Sequence, residues 1–442
     1  MNNNSACPTF VLECAYASDL GMRRMNNQDA MAVMVAQDVA TWATRGHLLM
    51  VADGMGAHAA GELASKLAVD NIPHTYHKLR DLHPPAALRQ AIRDANTVIH
   101  SKGQSNITFQ GMGTTCSCLV LLPQGALVAH IGDSRVYRLR GNVLEQLTFD
   151  HSPVWEMAAA GQMPQEDVPA YIPKNVITRS LGPHPAVNID IEGPYNAQAG
   201  DVFLVCSDGL SGQVPDEELA AILQVLPPAE AVQTFVDLAN LRGGPDNISV
   251  IVARVAGNGA PIPSAPPSNN GAEAVPQNAP GRPGWVMALL WSVALMLLVV
   301  LVYCLANQRW NGVVTSAIGL LFTLVIAFVG RSRSSAACPP FRPIGGPYGN
   351  GPYRKTQTDP NGKIVDALAN IATELRKSSD TMSTPIDWQP FDAQRAQAAA
   401  SADSGDNAAA IRQYTQAIRD IMRKLRNHRP PRDTDSFDNP IS

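Results

Sequence analysis

Apolar positions follow three regimes along this 442-residue chain. Between about residues 10 and 254, short β-rich apolar runs are mixed with stretches of helical period. The strand-like runs are 10–17, 29–36, 47–52, 115–122, 126–131, 135–139, 201–206 and 248–255, many separated by Gly-containing turns. Apolar spacing near 3.6 residues predicts helices over 61–79, 85–102, 153–160, 216–223 and 229–241. Their order lacks regular βαβ alternation. It predicts an α+β class, an antiparallel sheet or sandwich with helices packed outside it, and about 250 residues is enough chain to bury a sizeable core.

The second regime starts where bulky apolar residues vanish. Residues 256–284, mostly Ala, Pro, Gly, Asn and Ser, read as a flexible linker spanning on the order of 30 Å. Two charge-free apolar runs follow, 285–304 and 312–329 within a segment 285–330. At about 1.5 Å rise per residue each can cross a hydrocarbon core of roughly 30 Å, the second only just. Their short connection predicts a two-helix transmembrane hairpin with both flanks on one side. Arg282, Arg331, Arg333, Arg342, Arg354 and Lys355 outnumber the lone Arg309 of the turn, which makes those flanks cytoplasmic by the positive-inside rule. The chain then reads as a multi-pass membrane protein with the domain before the linker and the tail both in the cytoplasm.

In the third regime, 331–361 is rich in Pro, Gly and Ser and reads as a disordered linker. Helical spacing returns over 364–377 and 393–426, within a C-terminal region 362–429 before a disordered tail, 430–442. The stretch from Gly405 to Ile418 resembles the second helix of one tetratricopeptide unit; a solenoid needs several. The basic run Arg423, Lys424, Arg426, Arg429 and Arg432 is a solvated helix end or a point of attraction for anionic lipid.

Composition narrows this picture only a little. The net charge of −4 divides into about +4 from residue 331 onward and −8 before it, and neither balance points to nucleic acid as a partner. Seven cysteines occur singly or as Cys116-x-Cys118, with no disulfide framework and no CxxC pair, which favours a reducing compartment. The start Met1-Asn2-Asn3-Asn4 lacks a basic region followed by an apolar core, so no cleaved signal peptide is expected.

The chemistry concentrates at Val51-Ala52-Asp53-Gly54-Met55-Gly56-Ala57-His58, where an apolar strand delivers an aspartate into a glycine-rich turn. Further acids stand at strand ends: Asp133, Asp208 and Asp246. Taken singly, each also suits a turn or a helix cap. Taken together they suit a hard divalent cation held by oxygen ligands. Asp133, Asp150 and His151 also fit structural turns, and Cys116, Cys118 and Cys206 fit inert core thiols.

These motifs occur in an order that resembles the metal-dependent Ser/Thr protein phosphatases of the phosphatase 2C type, in a bacterial-like form, over residues 1–255. The matching elements are Ser18-Asp19-Leu20-Gly21 with Arg24 and Asn27-Gln28-Asp29, Asp53-Gly54-Met55-Gly56, and Gly111-Met112-Gly113-Thr114-Thr115. Gly132-Asp133-Ser134-Arg135, Leu147-Thr148-x-Asp150-His151-Ser152, Thr178-Arg179-Ser180-Leu181-Gly182, Ser207-Asp208-Gly209-Leu210 and Asp246-Asn247-Ile248-Ser249 complete the set. The resemblance implies an antiparallel β-sandwich with helices on both outer faces, a four-layer αββα fold, here followed by two transmembrane helices and a small helical tail. It implies two Mn²⁺ or Mg²⁺ ions per active site. Asp53 would serve both, Asp208 and Asp246 the first, and Asp29 and the Gly54 carbonyl the second, with Asp133 left to contribute to a third.

By the same resemblance Arg24 binds the substrate phosphate and His58 protonates the leaving alkoxide, although His58 could also pack beside the next helix. The segment between Ser152 and Thr178 is similar to the family's flap. Three departures stand out: Gln28 replaces the usual glutamate, Ala57 a glycine, and Gly212 the aspartate that serves a third ion in many bacterial relatives. The implied function is hydrolysis of phosphoserine and phosphothreonine esters by a metal-activated water. Its substrates are phosphoproteins made by a Ser/Thr kinase, at the cytoplasmic face of a membrane. The alternative is a catalytically weak relative acting as a membrane-bound scaffold through its C-terminal helices.

Overall fold

A computed structural model describes residues 11–56, 59–161, 176–256, 344–378 and 386–427. The chain forms two units, and every described residue belongs to the one made of residues 1–264 and 340–442. The apolar hairpin segment 285–330, and with it both predicted membrane crossings, lies outside the described residues, as do the linker from residue 257, most of the flap-like segment and the terminal tail. Among the described residues no helix is long and apolar enough to cross a membrane.

The strands are β1 (Val11–Asp19), β2 (Asp29–Met34), β3 (His47–Met55), β4 (Gly113–Thr114), β5 (Cys116–Leu122), β6 (Gly125–Ile131), β7 (Arg135–Arg140), β8 (Val143–Gln146), β9 (Asp190–Tyr195), β10 (Val202–Cys206), β11 (Ile248–Ala256) and β12 (Arg354–Gln357). The helices are α1 (Val39–Thr44), α2 (Ala60–Lys78), α3 (Pro84–Ser105), α4 (Pro153–Ala159), α5 (Asp208–Ser211), α6 (Asp216–Val225), α7 (Pro228–Leu241), α8 (Gly362–Ser378), α9 (Gln389–Asp403) and α10 (Asn407–Asn427).

Two antiparallel sheets result. One runs β1-β11-β10-β7-β8-β12, the other β2-β3-β5-β6-β9 with β4 on the end of β3. The central strands are covered on both faces, which is why they read as unbroken apolar runs. Alternate residues face different layers. In β3, Leu49 and Val51 pack between the sheets, while Leu48, Met50 and Ala52 pack under α2 and α3. In β10, Phe203 and Val205 face the inter-sheet core, and Val202, Leu204 and Cys206 face the opposite helical layer. This is the expected αββα arrangement.

Two expectations for the C-terminal region are corrected. Residues 344–361 are not a disordered linker: the Gly193 and Tyr348 backbones exchange hydrogen bonds of 3.0 and 2.6 Å, Tyr353 hydroxyl donates to Glu192, and β12 pairs with β8. The polar strand Arg354-Lys355-Thr356-Gln357 offers no apolar alternation and covers a sheet edge. The predicted helix over 393–426 is two helices, because Gly405 takes a positive φ of 82° and turns the chain back.

The tail helices also share the core of the two-sheet domain. Leu368, Ile411, Tyr414 and Ile418 are buried in the same apolar cluster as Leu219, Ile222 and Phe235 of α6 and α7. Arg419 pairs with Glu230 at 2.5 Å, and Arg426 pairs with the buried Asp237. Burial pushes the Asp237 carboxyl up to about 6, against the pull of Arg426. Within the basic run, Arg423 pairs with Asp420 and Lys424 donates to the Asp387 carbonyl. The described part of that run is therefore paired within the chain.

Candidate active site

One mouth of the sandwich collects the acids. Asp53 continues the Leu49, Val51 face of β3, and Asp29 stands directly opposite it on β2, so both point between the sheets. Like charges in that relation repel. From the other sheet, β10 ends into Ser207 and Asp208, β11 begins just after Asp246 and Asn247, and β7 begins just after Asp133. Antiparallel order places all these ends at the same edge.

A hydrogen-bond frame fixes the acids. Ser207 Oγ donates to Asp29 Oδ2 at 2.7 Å, Thr115 Oγ1 accepts from the Asp53 amide at 2.9 Å, and Ser134 Oγ lies 2.8 Å from Thr115 Oγ1. Asn247 Nδ2 donates to the carbonyls of Leu20 and Asn26, while its Oδ1 accepts from the Gln28 amide at 2.8 Å. Asn247 therefore ties the loop carrying Arg24 to the strand carrying Asp29. In the sequence, nothing marks Asn247 for this role beyond its place beside Asp246. Gly54 is enforced by space, since a Cβ would collide with the Gly61 and Gln28 carbonyls.

The electrostatics are those of crowded carboxylates. Burial pushes Asp29 up to about 7, with the charges of Asp208 and Asp246 adding to the rise. Asp53 is driven well above the carboxylate range by burial and then by Asp29, Asp208, Asp133 and Asp246. Burial and Asp246 raise Asp208, and burial with Asp208 and Asp150 takes Asp133 up to about 8. Asp29 Oδ1 and Asp208 Oδ1 are buried without a hydrogen-bond partner. Such oxygens fit divalent cations, which would neutralise the set and take up the free lone pairs. Among the described residues no three acid, Cys or His side chains stand within ligating range of a single point.

Arg24 reaches the same mouth. Its Nη2 lies 2.7 Å from Asp246 Oδ2, and its side chain keeps 47% of its exposure, so the guanidinium faces both the acids and solvent. The structure thus brings together Arg24, Asp29, Asp53, Gly54, Asp133, Asp208 and Asp246, while His58 and Ala57 lie outside the described residues. Gln28 Nε2 donates to the Gly56 carbonyl at 3.4 Å, and Gly212 caps α5. Asp150 and His151 serve as frame. Asp150 receives Arg135 at 2.7 Å, and His151 Nδ1 accepts from the Gly132 amide at 3.0 Å while Nε2 lies 2.9 Å from Asp190 Oδ2. Burial drives the Cys116 and Cys206 thiols up to about 12, in keeping with inert core residues.

An αββα sandwich with an exposed arginine beside an acid cluster fits one class, the metal-dependent phosphoester hydrolases. A model of the family "Protein phosphatase 2C" matches residues 22–240. The Serine/threonine protein phosphatase PstP of Mycobacterium tuberculosis is 36% identical over 254 residues, covering 56% of this chain and 46% of PstP. The catalytic domain of PstP, solved in complex with two manganese ions, aligns with a TM-score of 0.47 at 35% identity over 56% of this chain and all of that one. Protein phosphatase PhpP of Streptococcus pneumoniae is 35% identical over 248 residues, 54% of this chain and 96% of PhpP. The crystal structure of the serine/threonine phosphatase Stp1 from Staphylococcus aureus matches at 30% identity with a TM-score of 0.51, covering 58% of this chain and all of Stp1.

This chain belongs to the protein phosphatase 2C family of protein-serine/threonine phosphatases, in its bacterial form. Phosphatases of this family use two Mn²⁺ or Mg²⁺ ions. The chain spans about half the length of PstP, and nearly all of PhpP.

Proposed function

We propose that this chain is a metal-dependent phosphatase that hydrolyses phosphoserine and phosphothreonine esters on proteins, opposing a Ser/Thr kinase. The observation that carries the reading is the convergence of Asp29, Asp53, Asp208 and Asp246 at one mouth of the sandwich, with two unpartnered buried oxygens and Arg24 at the open edge. Those four acids and the Gly54 carbonyl are the groups that would hold two Mn²⁺ or Mg²⁺ ions, Asp53 serving both; Asp133 stands beside them as a contributor to a third. Bound ions supply a Lewis acid and lower the pKa of a water for in-line attack on phosphorus.

The remaining steps fall to the chain's own groups. Arg24 offers a planar fork of donors to the phosphoryl oxygens, which lysine cannot reproduce. Its ion pair with Asp246 aims that fork across the mouth. The hydroxyls of Ser207 and Thr115 and the Asn247 amide hold the acid-bearing strand ends in place, so that little reorganisation accompanies reaction. His58 is assigned to protonation of the leaving alkoxide, a task that suits a group titrating near neutrality.

The test uses the full chain with an aryl phosphate and with phosphoserine and phosphothreonine peptides. Turnover is expected only with Mn²⁺ or Mg²⁺ and to disappear on chelation. Arg24→Ala should lower kcat/KM by roughly 10²-fold, with Arg24→Lys recovering little of it. Metal-independent or absent turnover would overturn the reading and favour the scaffold. That alternative is weakened by the tail helices, whose apolar faces are already covered by the catalytic domain.

Membrane tethering through 285–304 and 312–329 belongs to the same proposal. Residues 11–256 and 344–427 pack into one unit, so any crossings between them must be even in number, as in a two-helix hairpin. Recovery of the full chain in the wash-resistant membrane fraction checks this; its release by carbonate would sink it.

A further inference from the structure

We propose that Arg354, supplied from beyond the linker by β12, is a positioning residue of the catalytic centre. Its guanidinium lies 5.3 Å from the ring centroid of Trp155 on α4, a ring that Arg135 also approaches at 5.8 Å. Its Nη1 is 3.5 Å from Asp216 Oδ2. From there the contacts run inward. Asp216 Oδ1 accepts from the Tyr137 hydroxyl at 3.0 Å, that hydroxyl accepts from Arg135 Nη1 at 2.9 Å, and Arg135 grips Asp150 with Nε at 2.8 Å and Nη2 at 2.7 Å.

Asp150 adjoins His151, whose amide donates to the Gly132 carbonyl at 2.7 Å and whose Nδ1 accepts from the Gly132 amide. Gly132 precedes Asp133, at the mouth of the sandwich. The route therefore links the returning tail to the turn that presents an active-site acid.

Charge balance gives the link its weight. Asp150 and Asp216 side chains keep only 5% and 10% of their exposure, and two arginines, Arg135 and Arg354, neutralise them. Arg354 itself keeps 38% of its side-chain exposure, but the acids it serves are nearly dry, so removing it leaves one of their negative charges uncompensated, a state that buried polar networks avoid by rearranging. Arg135 is then drawn between two acids, and the 132–135 turn loses its fixed partner. The next residue, Lys355, sits on the same strand but pairs with Glu145 at 3.1 Å, away from this route.

The kinetic consequence rests on the phosphatase reading; the structural one does not, so two readouts are used on the full chain. In saturating Mn²⁺ with an aryl phosphate, Arg354→Ala is expected to lower kcat by about three- to tenfold while KM stays within about twofold. Arg354→Lys should recover at least about half of kcat, and Lys355→Ala should match the wild type. By native-state amide exchange, Arg354→Ala should speed exchange at Gly132 and His151 by about tenfold, and Lys355→Ala should not. Unchanged kcat together with unchanged exchange in Arg354→Ala overturns the proposal. So does an equal loss in Lys355→Ala, which would make β12 a general staple. If the wild type shows no turnover, the phosphatase reading fails and the exchange result alone decides this one.

Discussion

Asp53→Asn is expected to abolish metal-stimulated turnover, a loss of at least about 10³-fold in kcat/KM, because the carboxylate proposed to serve both ions becomes a neutral amide. The same substitution should raise the melting temperature of the chelator-treated protein. Asp53 is half-buried, faces Asp29 across the β2–β3 ladder and is driven far above its ordinary range by desolvation and by four neighbouring acids. Asparagine keeps the shape and removes the repulsion.

The sign with pH follows from the direction of these shifts. A carboxyl whose folded pKa is raised stabilises the fold while it holds its proton, and that contribution is lost as pH rises through the folded value. Asp29 at about 7 and Asp133 at about 8, both raised from an ordinary value of 3.8, place the loss for the metal-free wild type between about pH 4 and 8. The advantage of Asp53→Asn should therefore widen with pH over that window, and the melting-point gain that Mn²⁺ gives the wild type should vanish in the variant. Thermal melts with and without Mn²⁺ read both effects. A variant that keeps the full Mn²⁺ shift would show that Asp53 is no ligand.

Ile418→Asp should destabilise the whole described unit by about 4 kcal/mol, or roughly 10 °C in melting temperature, as one transition. Ile418 is fully buried on α10 inside the cluster that also holds Phe235, Leu219 and Leu368. A carboxylate there loses the packing of the removed apolar atoms and finds no partner. Calorimetry distinguishes the cases: a separate early melt of the tail, with the catalytic transition unmoved, would mean that tail and catalytic core are not one cooperative body.

Much of the sandwich was legible because its strands are either fully buried or end in Asp and Gly. Runs such as Leu48 to Ala52 and Val202 to Cys206 admit few other placements. The elements that escaped detection lack that signal. β8 is four residues with two polar ones, β12 is entirely polar, and β9 carries a buried Glu192 and a Gly-Pro pair that break any alternation. Glu192 is tolerable there because the Tyr353 hydroxyl and the Gly351 amide, more than 150 residues away, donate to it. No local window contains that information.

By itself, the sequence determined the buried central strands and which acids stand at their ends, because backbone conformation and burial preference are written within a few residues, and its motif order placed Arg24 beside them. Only the tertiary structure decided that Asp29 and Asp53 face each other, that Asn247 ties their loops together, and that the tail returns to brace Trp155 and to share the catalytic core. Those outcomes depend on which distant faces meet. That choice is made by the total apolar area buried and by charges finding partners across the fold, quantities that no stretch of chain carries alone.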